Sequence, residues 1–357
     1  MALPSLVKDI LKILLFFGVG FTILYFVYQS QNKAFIEQCQ IDGLPLDECS
    51  LLKKVWSDIK SVKWIWLLVV LLCFNISNLS RAYRWKMMNA SLGLNVRLSN
   101  AFFTVMLGYF ANLGLPRAGE FVRATVFAKY ESIRVEKVMG TVVLDRLIDM
   151  ITVIMVVLLA ILIEFDLLFG FLKSNLGGDK EWPTGLLTYV GVSGIAVLTI
   201  SYLLREKLLE LRIVQKVISL LLGFWEGIQS IRTIKKPIPF ILHSINIWLM
   251  YFLMTYLCFY AFEPTSHLGL TAGLIVFVFG TFGVVIPSPG GMGTFHALAV
   301  IALSMYGIAG DEAFSFANIL FFTVQIGSSV LLGMIALIAL PILNRHYSPN
   351  RSQTIIS

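Results

Sequence analysis

Apolar runs long enough to cross a bilayer recur from one end of this sequence to the other, with short polar stretches between them. A membrane-spanning helix needs roughly 20 apolar residues. A chain built of such runs stays in water only if it can cover them all. This one cannot: 57% of its residues are apolar and 14% charged, against about 45–50% and about 25% in soluble domains. A soluble globular protein is excluded, and a large soluble catalytic domain does not fit beside the spans. The formal net charge of +7 would suit nucleic acid. In so apolar a chain it reads instead as basic loops facing an anionic cytoplasmic leaflet.

Charge between the runs sets the expected topology. The first run, Ile10 to Tyr28, is long and has no small-residue cleavage site after it, so a retained span is expected rather than a signal peptide. Residues 29–61 are polar and hold Cys39 and Cys49. An external position would permit a Cys39–Cys49 disulfide, with two thiols as the alternative. The second run, Val62 to Leu79, ends in Arg81, Arg84, Lys86 and Arg97 with no intervening acid, which marks the cytoplasmic side. Both termini are then expected inside. Spans are also expected at Val138 to Ile163, Leu186 to Leu204, Ile238 to Phe262 and Phe314 to Leu343. Residues 205–236 have a cytoplasmic composition and contain Val217 to Phe224, expected to lie on the membrane surface.

Two stretches do not fit simple crossings. Leu98 to Leu115 is followed by a basic segment, and a re-entrant hairpin returns that segment to the cytoplasm. Leu268 to Ile286 breaks at a proline–glycine turn and returns along Ala297 to Tyr306, with acidic flanks that look external. The expected fold is all-α: a polytopic membrane protein with six full spans and two re-entrant helical hairpins. Span–hairpin–span occurs twice, over 62–163 and 238–343, in opposite orientation. Inverted repeats with broken helices are a transporter arrangement, with the site near the midplane. The expected division is an N-terminal span and external cysteine loop (1–61), a transmembrane domain (62–344) and a cytoplasmic tail (345–357).

The first break reads Asn112-Leu113-Gly114-Leu115-Pro116-Arg117-Ala118-Gly119-Glu120. Proline favours the first position of a helix, so a helix is expected from Pro116 with its unpaired N–H groups facing the break. Such an end suits a phosphate, and Arg117 adds a forked donor set. Arg117, Glu120 and Arg123 share one helical face. They read either as an anion site or as an ion-pair ladder that solubilises a cytoplasmic helix. Asp145-Arg146-Leu147-Ile148-Asp149 lies well inside a span, and its two carboxylates share a face. Charges there should face the bundle interior and find partners, with Arg117 or Arg123 expected. A structural salt bridge and a proton relay both fit.

The second break reads Pro287-Ser288-Pro289-Gly290-Gly291-Met292-Gly293, followed by Thr294-Phe295-His296. Ser288 then Pro289 predicts an N-cap and a first-turn proline. The glycines let another backbone or a head group approach closely. No strand precedes them, so a dinucleotide site fails. His296 reads as a hydrogen-bonded structural group or as a proton carrier. There is no phosphate-binding loop of the Walker type, no His-Glu-x-x-His and no Gly-x-Ser-x-Gly. No enzymatic activity, cofactor or metal centre is expected.

Taken together, these pieces resemble the flippase-like membrane family that includes the transmembrane region of lysylphosphatidylglycerol synthase, the multiple-peptide-resistance protein. The matching residues are Arg84-Trp85, Asn112 with Pro116 to Glu120 and Arg123, Asp145-Arg146 with Asp149, and Pro287 to Gly293. They span about Val62 to Leu340. The resemblance implies a protein of the bacterial inner membrane that moves lipids between leaflets; the substrate is expected around Asn112, Pro116, Arg117, Glu120, Arg123, Asp145, Arg146 and Asp149 of the first half and Pro287, Ser288, Pro289, Gly290, Gly291, Gly293 and His296 of the second. Two positions depart from it: Asp145, where the family often has Glu, and His296, where many members place an acid. No stretch matches the soluble aminoacyl-transferase domain of the synthase, so lysyl transfer is not implied. Membrane lipids are the expected partners. A second copy of the chain and a separate lipid-modifying enzyme stay open as further ones, and no nucleic acid is expected. The rival readings are an accessory subunit that presents lipid to an enzyme and an ion- or proton-coupled transporter for a small solute.

Overall fold

The protein is seen in a computed structural model that describes residues 5–41, 49–114, 118–176, 234 and 236–349. Pro116, Arg117, the expected span at 186–204 and the surface helix at 217–224 lie outside those residues. The chain divides into two units, residues 1–160 with 234–357, and residues 161–233. The second contributes one described helix, α7 (Phe165–Leu176).

All regular structure among the described residues is helical. α1 (Ser5–Ile41) contains the first apolar run, and α2 (Leu51–Ser61) is capped by the Ser50 hydroxyl. α3 (Trp64–Ser91) contains neither Gly nor Pro and runs until Gly93, whose φ of 77° turns the chain out. α4 (Leu98–Gly114) and α5 (Ala118–Glu131) form a helical hairpin ahead of α6 (Val135–Ile163). The order then repeats. α8 (Pro237–Phe259) leads to a second hairpin, α9 (Leu270–Val285) with α10 (Thr294–Ser304). A long apolar helix follows: α11 (Gly310–Val324), a π-helical segment (Gln325–Val330) and α12 (Leu331–Leu343). By length and composition, α3, α6, α8 and the Gly310–Leu343 helix can cross a membrane. The hairpin helices have 17, 14, 16 and 11 residues. At about 1.5 Å per residue none reaches the roughly 30 Å of a hydrocarbon core.

Hydrogen bonds fix how the halves meet. Lys63 N–H donates to the Ala261 carbonyl at 2.9 Å and Ser77 Oγ to the Ile247 carbonyl at 3.1 Å. Further along, Asn246 Nδ2 donates to Ser80 Oγ at 2.7 Å. As residue numbers rise along α3 they fall along α8, so the leading helices of the two halves are antiparallel. α4 and α12 are antiparallel as well. Asn100 and Asn344 exchange side-chain hydrogen bonds at 2.7 and 3.0 Å, and Phe110 sits on Gly333. The open end of the first hairpin is closed by Glu131, which accepts from Arg97 N–H, Asn100 Nδ2 and the Tyr347 hydroxyl. Burial and the Glu131 carboxylate push the Tyr347 hydroxyl up to about 12, so it remains a donor. This end lies where α3 finishes. The second hairpin opens at the other end, next to the close of α8. The two tips meet between them: Leu113 packs against Gly290, and Gln325 Nε2 donates to the Gly290 carbonyl at 2.7 Å.

Two expectations are corrected here. Only a single 3-10 turn, Pro289–Gly291, begins at Pro289, and the α-helix after the second break does not. Gly290, Gly291 and Gly293 take φ of 58°, 83° and 81°, which delays the helix to Thr294. Ser288 instead shares a 3.1 Å hydrogen bond with the Thr294 hydroxyl. The Cys39–Cys49 bridge is not made. Both side chains are buried, at the last turn of α1 and just ahead of α2.

The first hairpin depends on Gly119. A Cβ there would lie 2.1 Å from the Gly108 carbonyl oxygen and 2.6 Å from Asn112 Oδ1. Gly119→Ala should therefore push α5 off α4 and lower stability by about 1–3 kcal/mol, read as a fall in the thermal unfolding midpoint in detergent. Gly140→Ala, which meets nothing within 4 Å, should leave the midpoint in place.

Candidate functional site

Beside the first break, charged side chains from three helices converge inside the bundle. α3 brings Arg81 and Arg84, α5 brings Arg123, and α6 brings Asp145 and Asp149, all buried. Arg84 binds both carboxylates, to Asp145 Oδ1 at 2.5 Å and Asp149 Oδ1 at 2.6 Å. Arg81 Nη1 takes the other oxygens, Asp149 Oδ2 at 2.6 Å and Asp145 Oδ2 at 3.2 Å. Arg123 Nη1 donates to Asp145 Oδ2 at 2.9 Å, and its guanidinium lies 3.8 Å from the Trp85 ring centroid. Trp85 is held in turn by its Nε1–H bond to the Thr141 hydroxyl at 2.9 Å.

Helical spacing explains the convergence. Residues 81, 84 and 85 fall on one face of α3, and 145 and 149 on one face of α6. Buried ions are tolerated when paired and fully hydrogen-bonded. Here the carboxylates are saturated and the cations are not. Three buried guanidinium groups face two buried carboxylates, one positive charge in excess. Arg81 Nε and Arg123 Nε and Nη2 find no partner among the described residues. Towards the exterior, Arg146 pairs with Glu120 at 3.1 Å and approaches Asp149 at 3.7 Å, which leaves the excess unchanged. Arg81, Arg123, Arg146, Glu120, Tyr109 and Asn112 line a narrow cleft here.

Asn112 has a defined part in this geometry: its Oδ1 accepts from Gly119 N–H at 2.7 Å and so caps α5 across the break. The face expected to carry an Arg117–Glu120–Arg123 ladder is divided between two tasks. Arg123 points inward to Asp145, and Glu120 meets Arg146. The residues of the second break do not join the cluster. Gly290 touches Leu113 at the tip, while His296 is buried among Phe295, Phe314 and Phe321, its Nδ1 accepting from Gly293 N–H at 3.4 Å. His296 Nε2 is buried and meets no hydrogen-bond partner among the described residues.

Arg81 and Arg84 are what the charge pattern missed. By charge both read as markers of the cytoplasmic side beyond a span ending at Leu79. The helix runs on to Ser91, and both side chains turn into the bundle. The signal was the unbroken stretch from Leu79 to Leu92, free of Gly and Pro, with Arg81, Arg84 and Trp85 at helical spacing.

Comparison with known proteins adds one match. The model of the lysylphosphatidylglycerol synthase transmembrane region covers residues 50–345. The chain belongs to this family. It is thereby a membrane protein connected with lipids. No curated protein and no solved structure matches the chain.

Asp145→Asn would leave three buried guanidinium groups facing one carboxylate. Breaking such a buried network costs about 3–5 kcal/mol, so the variant should show a large loss of thermal stability in detergent. Arg146→Gln touches a half-exposed pair worth at most about 1 kcal/mol and should unfold near the wild-type midpoint.

Proposed function

We propose that this protein moves an anionic lipid between the leaflets of a bacterial inner membrane, without an ATPase of its own. The observation that carries the reading is the buried charge excess, with guanidinium N–H groups that meet no partner among the described residues on Arg81 and Arg123, two residues of the cleft beside a helix break. Intramembrane charge is expensive and is kept where it has a task. A surplus of donors beside the N-terminus of α5 suits the phosphate of a lipid headgroup. The fold supports the reading too. Two helical hairpins too short to cross meet tip to tip, and the leading helices are antiparallel. This is the arrangement expected of inverted repeats with re-entrant hairpins. No bond of the lipid is made or broken in this scheme. Asp145 and Asp149 set the charge of the site and hold α3, α5 and α6 together.

Arg123→Gln removes the excess while leaving each carboxylate an arginine partner. In liposomes holding purified protein and a fluorescent anionic phospholipid, transbilayer movement should slow by about tenfold or more, the worth of one charged hydrogen bond, with the protein still monodisperse. Wild-type rates in this variant would remove the site from the scheme. If the wild-type chain alone moves no lipid, the translocase reading falls and an accessory subunit that presents lipid to an enzyme replaces it. Topology has its own check. Arg134 is exposed just beyond the open end of the first hairpin, and Arg134→Cys should react with an impermeant thiol reagent from the cytoplasmic side alone.

A further inference from the structure

The cleft beside the cluster holds no more than about one water as it stands. A phosphate headgroup can neither enter nor pass it without a movement. One side of the cleft is formed by a side chain tied to a second helix. Tyr109 lines it from α4. The Tyr109 hydroxyl meets the Tyr251 hydroxyl of α8 at 2.7 Å.

Away from the hydroxyls, each ring is anchored on a different helix. Tyr109 packs against Phe74 of α3, centroids 5.8 Å apart. Tyr251 packs edge-on against Trp248, within the cluster of Ile247, Trp248 and Phe277 that joins α8 to α9. α3 packs against both α4 and α8, and the hydroxyl pair links α4 to α8 directly. The pair also stands at a defined height. Phe74 lies seven residues before Arg81 on α3, roughly 10 Å along the axis at about 1.5 Å per residue, towards the end where α3 begins. The charged cluster is on one side of the tyrosines and that half of the bundle is on the other. A neutral hydroxyl pair is the weak link there: either hydroxyl can exchange its partner for a phosphate oxygen, whereas the arginine–aspartate network cannot open without stranding buried charge.

We propose that the Tyr109–Tyr251 hydroxyl pair is the gate between the charged cleft and the half of the bundle that begins with Trp64. It opens by parting α4 from α8, and the freed Tyr109 hydroxyl then donates to the headgroup. This rests on the lipid-moving reading above for its ligand, but the gate itself is tested without lipid. In a background with the four native cysteines replaced by alanine, Val105→Cys places a thiol in the cleft one turn from Tyr109, on the cluster side. An impermeant thiol reagent, applied from the side on which α3 begins, should label it slowly. Adding Tyr109→Phe and Tyr251→Phe together deletes the hydroxyl pair and keeps both rings. Labelling should then accelerate by about fivefold or more, the population shift expected for one lost hydrogen bond. An unchanged rate overturns the gate, whatever the protein does with lipid. In the liposome assay the same double variant should alter the rate of transbilayer movement. Faster labelling in a protein whose wild type moves no lipid would keep the gate and dispose of the translocase.

Discussion

Two carboxylates on α6 share three buried guanidinium groups, and the arrangement of this half of the molecule follows from the need to satisfy them. In a low-dielectric interior each group would be costly alone, and each oxygen of Asp145 and Asp149 is met by an arginine. α3 and α6 are therefore pinned at the depth where residues 81 and 84 face 145 and 149. α5 must lie close enough for Arg123 to reach Asp145, and that requires the tight approach of Gly119 to Gly108 and the Asn112 cap across the break. The hairpin is short because it ends at the charges, and the charges are tolerable because the hairpin covers them.

Much of the coarse fold was legible in the sequence. Apolar runs gave α3, α6, α8 and the Gly310–Leu343 helix nearly in place, and the proline and glycine breaks marked both hairpins. The errors have physical causes. Charge statistics treat arginine as a surface residue, so Arg81 and Arg84 read as the cytoplasmic edge of a span, whereas an unbroken helix carries them inside. The pattern Ser288-Pro289 is a good helix start locally, but three glycines with positive φ follow it, and only three-dimensional packing against Leu113 and Val284 demands that conformation. In the candidate site, the inward direction of Asp145 and Asp149 followed from their depth. The pairing of α3 with α6 did not, because nothing in a single sequence relates residue 84 to residue 145.

The two hairpins differ in what their tips do. The first ends in polar groups: Asn112 capping a backbone N–H, Glu120 on Arg146, and buried Arg123 donors that meet no partner among the described residues. The second is closed on itself. Thr294 Oγ1 donates to the carbonyl of Gly283 at 2.6 Å, and Phe295 lies against Gly280. Chemistry is thus concentrated in one half of the fold, while the other supplies a rigid wall for the first tip to rest on.

The antiparallel seam between α3 and α8 bears on how such a chain can be divided. Ser77, Ser80 and Arg84 spend hydrogen bonds on the backbone or side chains of 247, 246 and 244, so each half carries the complement of the other's polar stripe. Severed between residues 176 and 237, neither fragment could bury that stripe by itself. The two would have to be made together and find one another in the bilayer, as the subunits of an obligate heterodimer do.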